Sequence, residues 1–142
     1  MEKLPKKTVI LMRHAKSDWG AGLADIDRPL NARGERDAKN MAVYLNAALS
    51  GPVQIITSSA RRARDTAEAL VRVIARAEII VQEGLYLAGV PTLYKFIEGG
   101  AVSGCQILVA HNPGLEELVL RLDPQAAARI GARKLFPTGA IH

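Results

Sequence analysis

The chain has 142 residues, a formal net charge of +5, 49% hydrophobic and only 4% aromatic residues, and a single cysteine. One domain of this length buries roughly two thirds of its unfolded surface, so it needs no staples, and Cys105 alone excludes an internal disulfide and a cysteine-based zinc site. No run approaches the ~18 apolar residues of a membrane span, and no leader-type apolar stretch follows the charges of Met1 to Lys7, so a soluble chain in the reducing cytoplasm with no membrane partner is expected.

Thr8 to Met12 is a short apolar run with β-branched residues at its start, which predicts a buried strand, and Arg13-His14 ends it abruptly. Small and polar residues follow through Pro29, a long loop of the kind that is often functional. Asn31 is a suitable N-cap for a helix whose apolar positions, Ala38, Met41, Ala42, Leu45 and Leu49, share one face. Gly51-Pro52 closes that connection and Val53 to Thr57 predicts a second strand. Ser58-Ser59 offers an N-cap for a second helix, with Ala63, Ala67, Leu70, Val71 and Ile74 on one face.

Glu78 to Val81 predicts a third strand, Glu83 to Gly89 a connection, and Thr92 to Ile97 a helix ended by Gly99-Gly100. Gln106 to Ala110 predicts the next strand, with Cys105 a small buried thiol at its edge. His111-Asn112-Pro113-Gly114 then turns into a helix with Leu115, Leu118, Val119 and Leu122 on one side, stopped by Asp123-Pro124. Residues 125–132 suggest a short helical piece, and Lys134-Leu135-Phe136 the start of a last strand. Strands alternate with helices throughout, which predicts one α/β domain over residues 1–142, a three-layer sandwich with helices on both faces of one sheet.

Three polar clusters sit at predicted strand ends: Arg13-His14, Ser58 with Arg61-Arg62, and His111-Asn112. Ligands of open α/β sheets bind outside the carboxyl ends of the strands. A neutral imidazole can attack phosphorus directly, and arginine forks match the charge that a transferring phosphoryl group spreads over its oxygens. A second histidine can hold the same oxygens, and helix N-termini after Ser58 and Pro113 can add backbone donors. Hydrolysis also calls for a proton donor, for which Asp18, Asp27 and Glu83 are available and periodicity chooses none. Helical geometry puts Arg61 and Arg64 near one another and Arg62 about 100° away, so the three cannot share one role.

The two histidines make a poor zinc set, and Asp18, Asp25 and Asp27 lack calcium-loop spacing, so no metal and no other cofactor is expected. The positive balance invites nucleic acid. The cations are not blocked, however, and no aromatic residues interleave with them as single-strand binding requires. An anionic phosphoester or phosphoprotein is the expected partner, and nucleic acid is not.

Leu11-Met12-Arg13-His14-Ala15-Lys16-Ser17 resembles the signature of the histidine phosphatase superfamily, the phosphoglycerate-mutase-like enzymes. Asp27-Arg28-Pro29-Leu30-Asn31-Ala32-Arg33-Gly34, the segment Ser58 to Glu68, and Val109-Ala110-His111-Asn112-Pro113-Gly114 are similar to further elements of its small SixA-type phosphohistidine phosphatases. The resemblance runs from residue 8 to about residue 138. It implies a mostly parallel sheet and a phosphatase acting through a phosphohistidine on His14. It makes Arg13 and Arg62 phosphoryl-binding, His111 the second phosphate-contacting histidine, and Lys16 and Asn112 rim residues. It leaves Arg61 and Arg64 as bystanders.

Ala60 and Ala110 depart from the proline and glycine common in relatives. The proton donor is the larger gap: Glu83 lies where mutase-type relatives carry a glutamate, Asp18 is the next candidate, and SixA-type enzymes often lack that glutamate. The resemblance also implies a final strand beginning near Pro137, either truncated here or lost, and assigns His142 no role. The short connection between residues 75 and 91 lacks the helical insertions of sugar-phosphate enzymes, so an open pocket with little selectivity for the leaving group is expected. The alternative is a non-catalytic phosphate- or phosphoprotein-binding module of the same fold.

Overall fold

A computed structural model describes residues 7–19, 22–98 and 104–122. Its strands are β1 (Lys7–Arg13), β2 (Val53–Ser58), β3 (Ala77–Gln82) and β4 (Gly104–Ala110). Its helices are α1 (Ala32–Ala48), α2 (Arg61–Val73), α3 (Val90–Glu98) and α4 (Gly114–Leu122), with short 3-10 turns at Asp25–Asp27 and Glu83–Leu85. The strands form one sheet in the order β1-β4-β2-β3, and every pairing is parallel.

Continuous apolar runs suit central strands that are covered on both sides. Successive residues of a strand face opposite ways, and the two cores divide accordingly. Ile10, Met12, Ile55, Ile107 and Val109 pack with Ala42 and Leu45 of α1 and Ala63, Ala67 and Leu70 of α2. Leu11, Ile56, Leu108 and Ala110 pack on the other face with Leu93 of α3 and Leu115, Leu118 and Val119 of α4. The chain steps from β1 through β2 to β3 with its helices on one face. It then returns to β4 with α3 on the other, as right-handed crossovers require.

The expected three-layer α/β sandwich is therefore the observed architecture, with boundaries shifted by one or two residues. Asn31 caps α1 as expected, its side chain accepting from the Gly34 amide at 2.8 Å. Cys105 is buried between β1 and β2, and burial pushes its thiol up. Two expectations need correcting. The N-cap of α2 is Ala60, with no side-chain cap, because Ser58 is still the last residue of β2 and its hydroxyl turns into the interior. Leu122, expected on the apolar side of its helix, is exposed as the last residue of α4. Gly99-Gly100, Asp123-Pro124, residues 125–132 and the last strand anticipated from Lys134 lie outside the described residues.

Candidate active site

The register of the sheet builds the floor of the site. Arg13 ends β1 opposite Ala110, which ends β4, so His14 and His111 emerge side by side. The His14 amide donates to the Ala110 carbonyl at 3.2 Å, and the two imidazole rings lie 5.2 Å apart between centroids. On the other side of β4, β2 ends at Ser58, whose hydroxyl meets Nε2 of His111 at 2.7 Å. The first turn of α2 then delivers Arg62, 3% exposed, into the space between the histidines. Thr66, one turn later, fixes the arrangement from below: its Oγ1 accepts from the Ala15 amide at 3.0 Å and donates to the Arg62 carbonyl at 2.7 Å.

The hydrogen bonds settle which ring nitrogens carry protons. A carbonyl only accepts, so Nδ1 of His14, 2.8 Å from the Ala15 carbonyl, is the protonated nitrogen. A guanidinium only donates, so Nε2 of His14 accepts from Nε of Arg62 at 3.3 Å. Burial holds the His14 imidazole down at about 4, reinforced by the Arg62, Arg13 and Arg28 cations and opposed by the bond to Ala15. At neutral pH its Nε2 is therefore a lone pair facing an arginine. His111 is read the same way. Its Nδ1 accepts from Nη2 of Arg62 at 3.4 Å, and its Nε2 donates to Ser58. Burial, and after it His14 and Arg62, hold this ring at about 3, with Asp25 pulling the other way.

The mouth is made by the loop after β1 and the turn after β3. The loop is closed at its base by a bridge between Ser17 and Leu30 and by the Asp18 amide on the Pro29 carbonyl at 2.9 Å. Buried Arg28 spans it, donating to Ser17 Oγ at 2.9 Å and to Asp25 Oδ1 at 3.0 and 3.2 Å, with its guanidinium carbon 3.5 Å from the Trp19 ring. Asp25 also takes Arg62: Nη1 donates to its carbonyl at 2.7 Å and Nη2 to its Oδ2 at 3.1 Å. The Tyr86 hydroxyl donates to the same Oδ2. That bond, followed by the Arg28 and Arg62 guanidiniums, holds the Asp25 carboxyl down at about 2. The resulting cleft has a volume of about 630 Å³.

His14, Arg13, Arg62 and His111 all line this cleft, as do Lys16 and Asn112. Glu83 does not; it is exposed at the start of the 3-10 turn that instead brings Tyr86 toward the site. Asp18 and Asp27 are likewise absent from the lining, where Asp25 is the one carboxylate among the described residues. Arg61 pairs with Asp65 at 3.7 Å on the outside of α2 and Arg64 donates to the Ser59 carbonyl at 3.1 Å, both away from the cleft. Ser58 belongs to one of the three strand-end clusters expected from the sequence, whereas Asp25, Arg28 and Tyr86 are not marked as site residues by it. For Arg28 a signal existed, since it stands inside a recognised element. Among the described residues no three His, Cys, Asp or Glu side chains are placed to hold a metal ion, and no helix is long and apolar enough to cross a membrane.

A sequence profile described as the histidine phosphatase superfamily (branch 1) matches residues 9–86, which run from within β1 to the Tyr86 turn. The chain belongs to that superfamily. It is 36% identical over 138 residues to an uncharacterized protein of Mycobacterium tuberculosis, covering 92% of this chain and 84% of that protein. A solved structure assigned as phosphohistidine phosphatase SixA from Agrobacterium tumefaciens superposes with a TM-score of 0.84 at 30% identity, covering 94% of this chain and 87% of that one. A second SixA assignment, from Nakamurella multipartitia, gives 0.77 at 26% identity, covering 95% and 81%.

Proposed function

We propose that this protein is a phosphatase that passes a phosphoryl group through His14, and that its preferred substrates carry phosphorus on nitrogen, as in protein phosphohistidine. The observation that supports the reading best is the lone pair of His14 Nε2, neutral at physiological pH and 3.3 Å from the arginine that would hold the group it attacks. In the first step Nε2 bonds to phosphorus and the bond from phosphorus to the leaving group breaks, its electron pair departing with that group. In the second, water attacks phosphorus, the P–N bond to His14 breaks, and inorganic phosphate leaves. Arg13, Arg62 and Arg28 meet the equatorial charge. His111, whose Nδ1 takes up a proton from solvent when the anion arrives, adds a fourth donor while Ser58 accepts from its Nε2.

The carboxylates bear on the substrate. An alkoxide leaving group needs a proton in the transition state. Asp25, the lining carboxylate, is held ionised by Tyr86, Arg28 and Arg62 and has no proton to give near neutral pH. A phosphoramidate nitrogen can take its proton from solvent before it departs, so such substrates react without an enzymatic acid. The 30% identical structure assigned as a phosphohistidine phosphatase agrees with this preference. The connection from β3 to α3 is a single 3-10 turn, so little surrounds the leaving group and selectivity for it is weak.

A rapid-quench experiment with a 32P-labelled phosphoramidate tests the reading. The expected label is acid-labile, base-stable and absent from His14→Ala. Saturable phosphate binding without label or turnover would instead define a binding module.

A further inference from the structure

The cleft carries its own anion. Asp25 places a carboxylate against two of the guanidiniums that line the cleft, with Oδ1 on Arg28 at 3.0 Å and Oδ2 on Arg62 at 3.1 Å. Arg62 has little left to offer a ligand. Its Nε donates to His14, its Nη1 to the Asp25 carbonyl, and its Nη2 to both Asp25 Oδ2 and His111. An arriving phosphoryl group needs those same donors, so the two anions compete for one place.

Their circumstances differ. Arg62 is fixed, its side chain 3% exposed, whereas the Asp25 side chain is 44% exposed and stands on a short 3-10 turn. The carboxylate can therefore turn out to water at small desolvation cost while the guanidinium stays. Tyr86, half-buried across the cleft mouth, donates to Oδ2 and draws the carboxylate back once the cleft empties.

We propose that Asp25 is a resident counter-ion that holds Arg62 and Arg28 in their anion-binding positions, is displaced by the phosphoryl group, and by returning speeds the release of inorganic phosphate. This rests on reading the cleft as a phosphoryl site. It makes Asp25 a positioning and product-release residue. Tyr86 is its anchor.

Calorimetric titration of the full chain with inorganic phosphate tests it, since removing a competing charge at a partly exposed pair should tighten binding modestly. Asp25→Asn should bind phosphate roughly three- to tenfold more tightly than the parent. Tyr86→Phe, which loosens the anchor but keeps the carboxylate, should tighten it by roughly twofold. Asp27→Asn removes the same charge from the same turn without touching either arginine and should leave the affinity unchanged.

Equal or weaker binding by Asp25→Asn would overturn the proposal, and so would equal tightening by the Asp27 variant. The result separates cleanly from the enzymatic reading. Tighter phosphate binding with no label on His14 upholds the counter-ion and removes the phosphatase. Label on His14 with unchanged phosphate affinity does the reverse.

Discussion

The floor and the mouth of the cleft are built on different principles. The floor is a product of the sheet: His14, His111 and Ser58 stand at the ends of three neighbouring parallel strands and are almost fully buried. Their hydrogen bonds run to backbone carbonyls, to one another and to a buried arginine. The mouth is held by ion pairs and by one stacked ring, on a loop closed only at its base, with Trp19 79% exposed. A buried floor fixes a nucleophile's protonation state and aim. A partly wet mouth exchanges ligands at small cost. Under the proposed function, chemistry belongs to the first region and traffic to the second, and substitutions should sort accordingly.

The largest effect falls on the floor. His14→Ala should lower turnover by roughly four to six orders of magnitude, the scale on which loss of a covalent nucleophile is felt, and phosphate should still bind. Arg62→Ala should cost about 2.7–4 kcal/mol of transition-state stabilisation, the worth of one oxyanion donor, read as kcat/KM. Arg61→Ala, one residue earlier on the outer face of α2, should change kcat/KM by less than about twofold, since its exposed pair with Asp65 is worth little. Equal losses at the two arginines would erase the boundary between floor and surface.

The floor was also the legible region. A strand that must be apolar on both faces announces its end when Arg13-His14 or His111-Asn112 interrupts it, and parallel strands bring those ends together. The mouth offered no such signal. Asp18, Asp25 and Asp27 are one residue type in one aperiodic loop, and Asp25 is selected by a 3-10 turn and by Arg28 reaching back to Ser17. Glu83 is a candidate only through its position, comparable to that of the glutamate of mutase-type relatives, and nothing local in the sequence aims it. The turn it begins presents Tyr86, three residues on, to the cleft mouth. Ser58 was misread for a different reason. Serine between a strand and a helix is the ordinary sign of an N-cap, but α2 begins after Ala60, and the Ser58 hydroxyl, while accepting from the Ala60 amide, meets His111.

Gly34 tests the seam between the regions. It opens α1 against the backbone that follows His14, and a Cβ there would overlap the Lys16 carbonyl oxygen. Gly34→Ala should destabilise the fold by about 1–3 kcal/mol, the usual cost of overpacking, measured by chemical denaturation. The displaced Lys16–Ser17 backbone carries the hydroxyl that anchors Arg28, so KM should rise more than kcat falls.

The last effect is the most discriminating, because it is read in pH as well as in rate. With His14 at about 4 instead of the ordinary 6.5, its lone pair survives in mild acid, and the acid limb of kcat/KM should fall near pH 4. The sign for stability follows. Between pH 6.5 and 4 the unfolded chain binds protons that the folded chain refuses. Stability is therefore full above about pH 6.5 and declines as pH drops through that window, with His111 extending the decline toward pH 3. Ser58→Ala removes the acceptor from His111 Nε2, which matters most when a bound phosphoryl group has made that ring cationic. The variant should lose roughly two- to tenfold in kcat at neutral pH, the worth of one hydrogen bond, and its basic limb of kcat should move to lower pH. The acid limb of kcat/KM, set by His14, should stay in place. Movement of both limbs together would mean that the two histidines titrate as one unit and that the floor cannot be divided into a nucleophile and a donor.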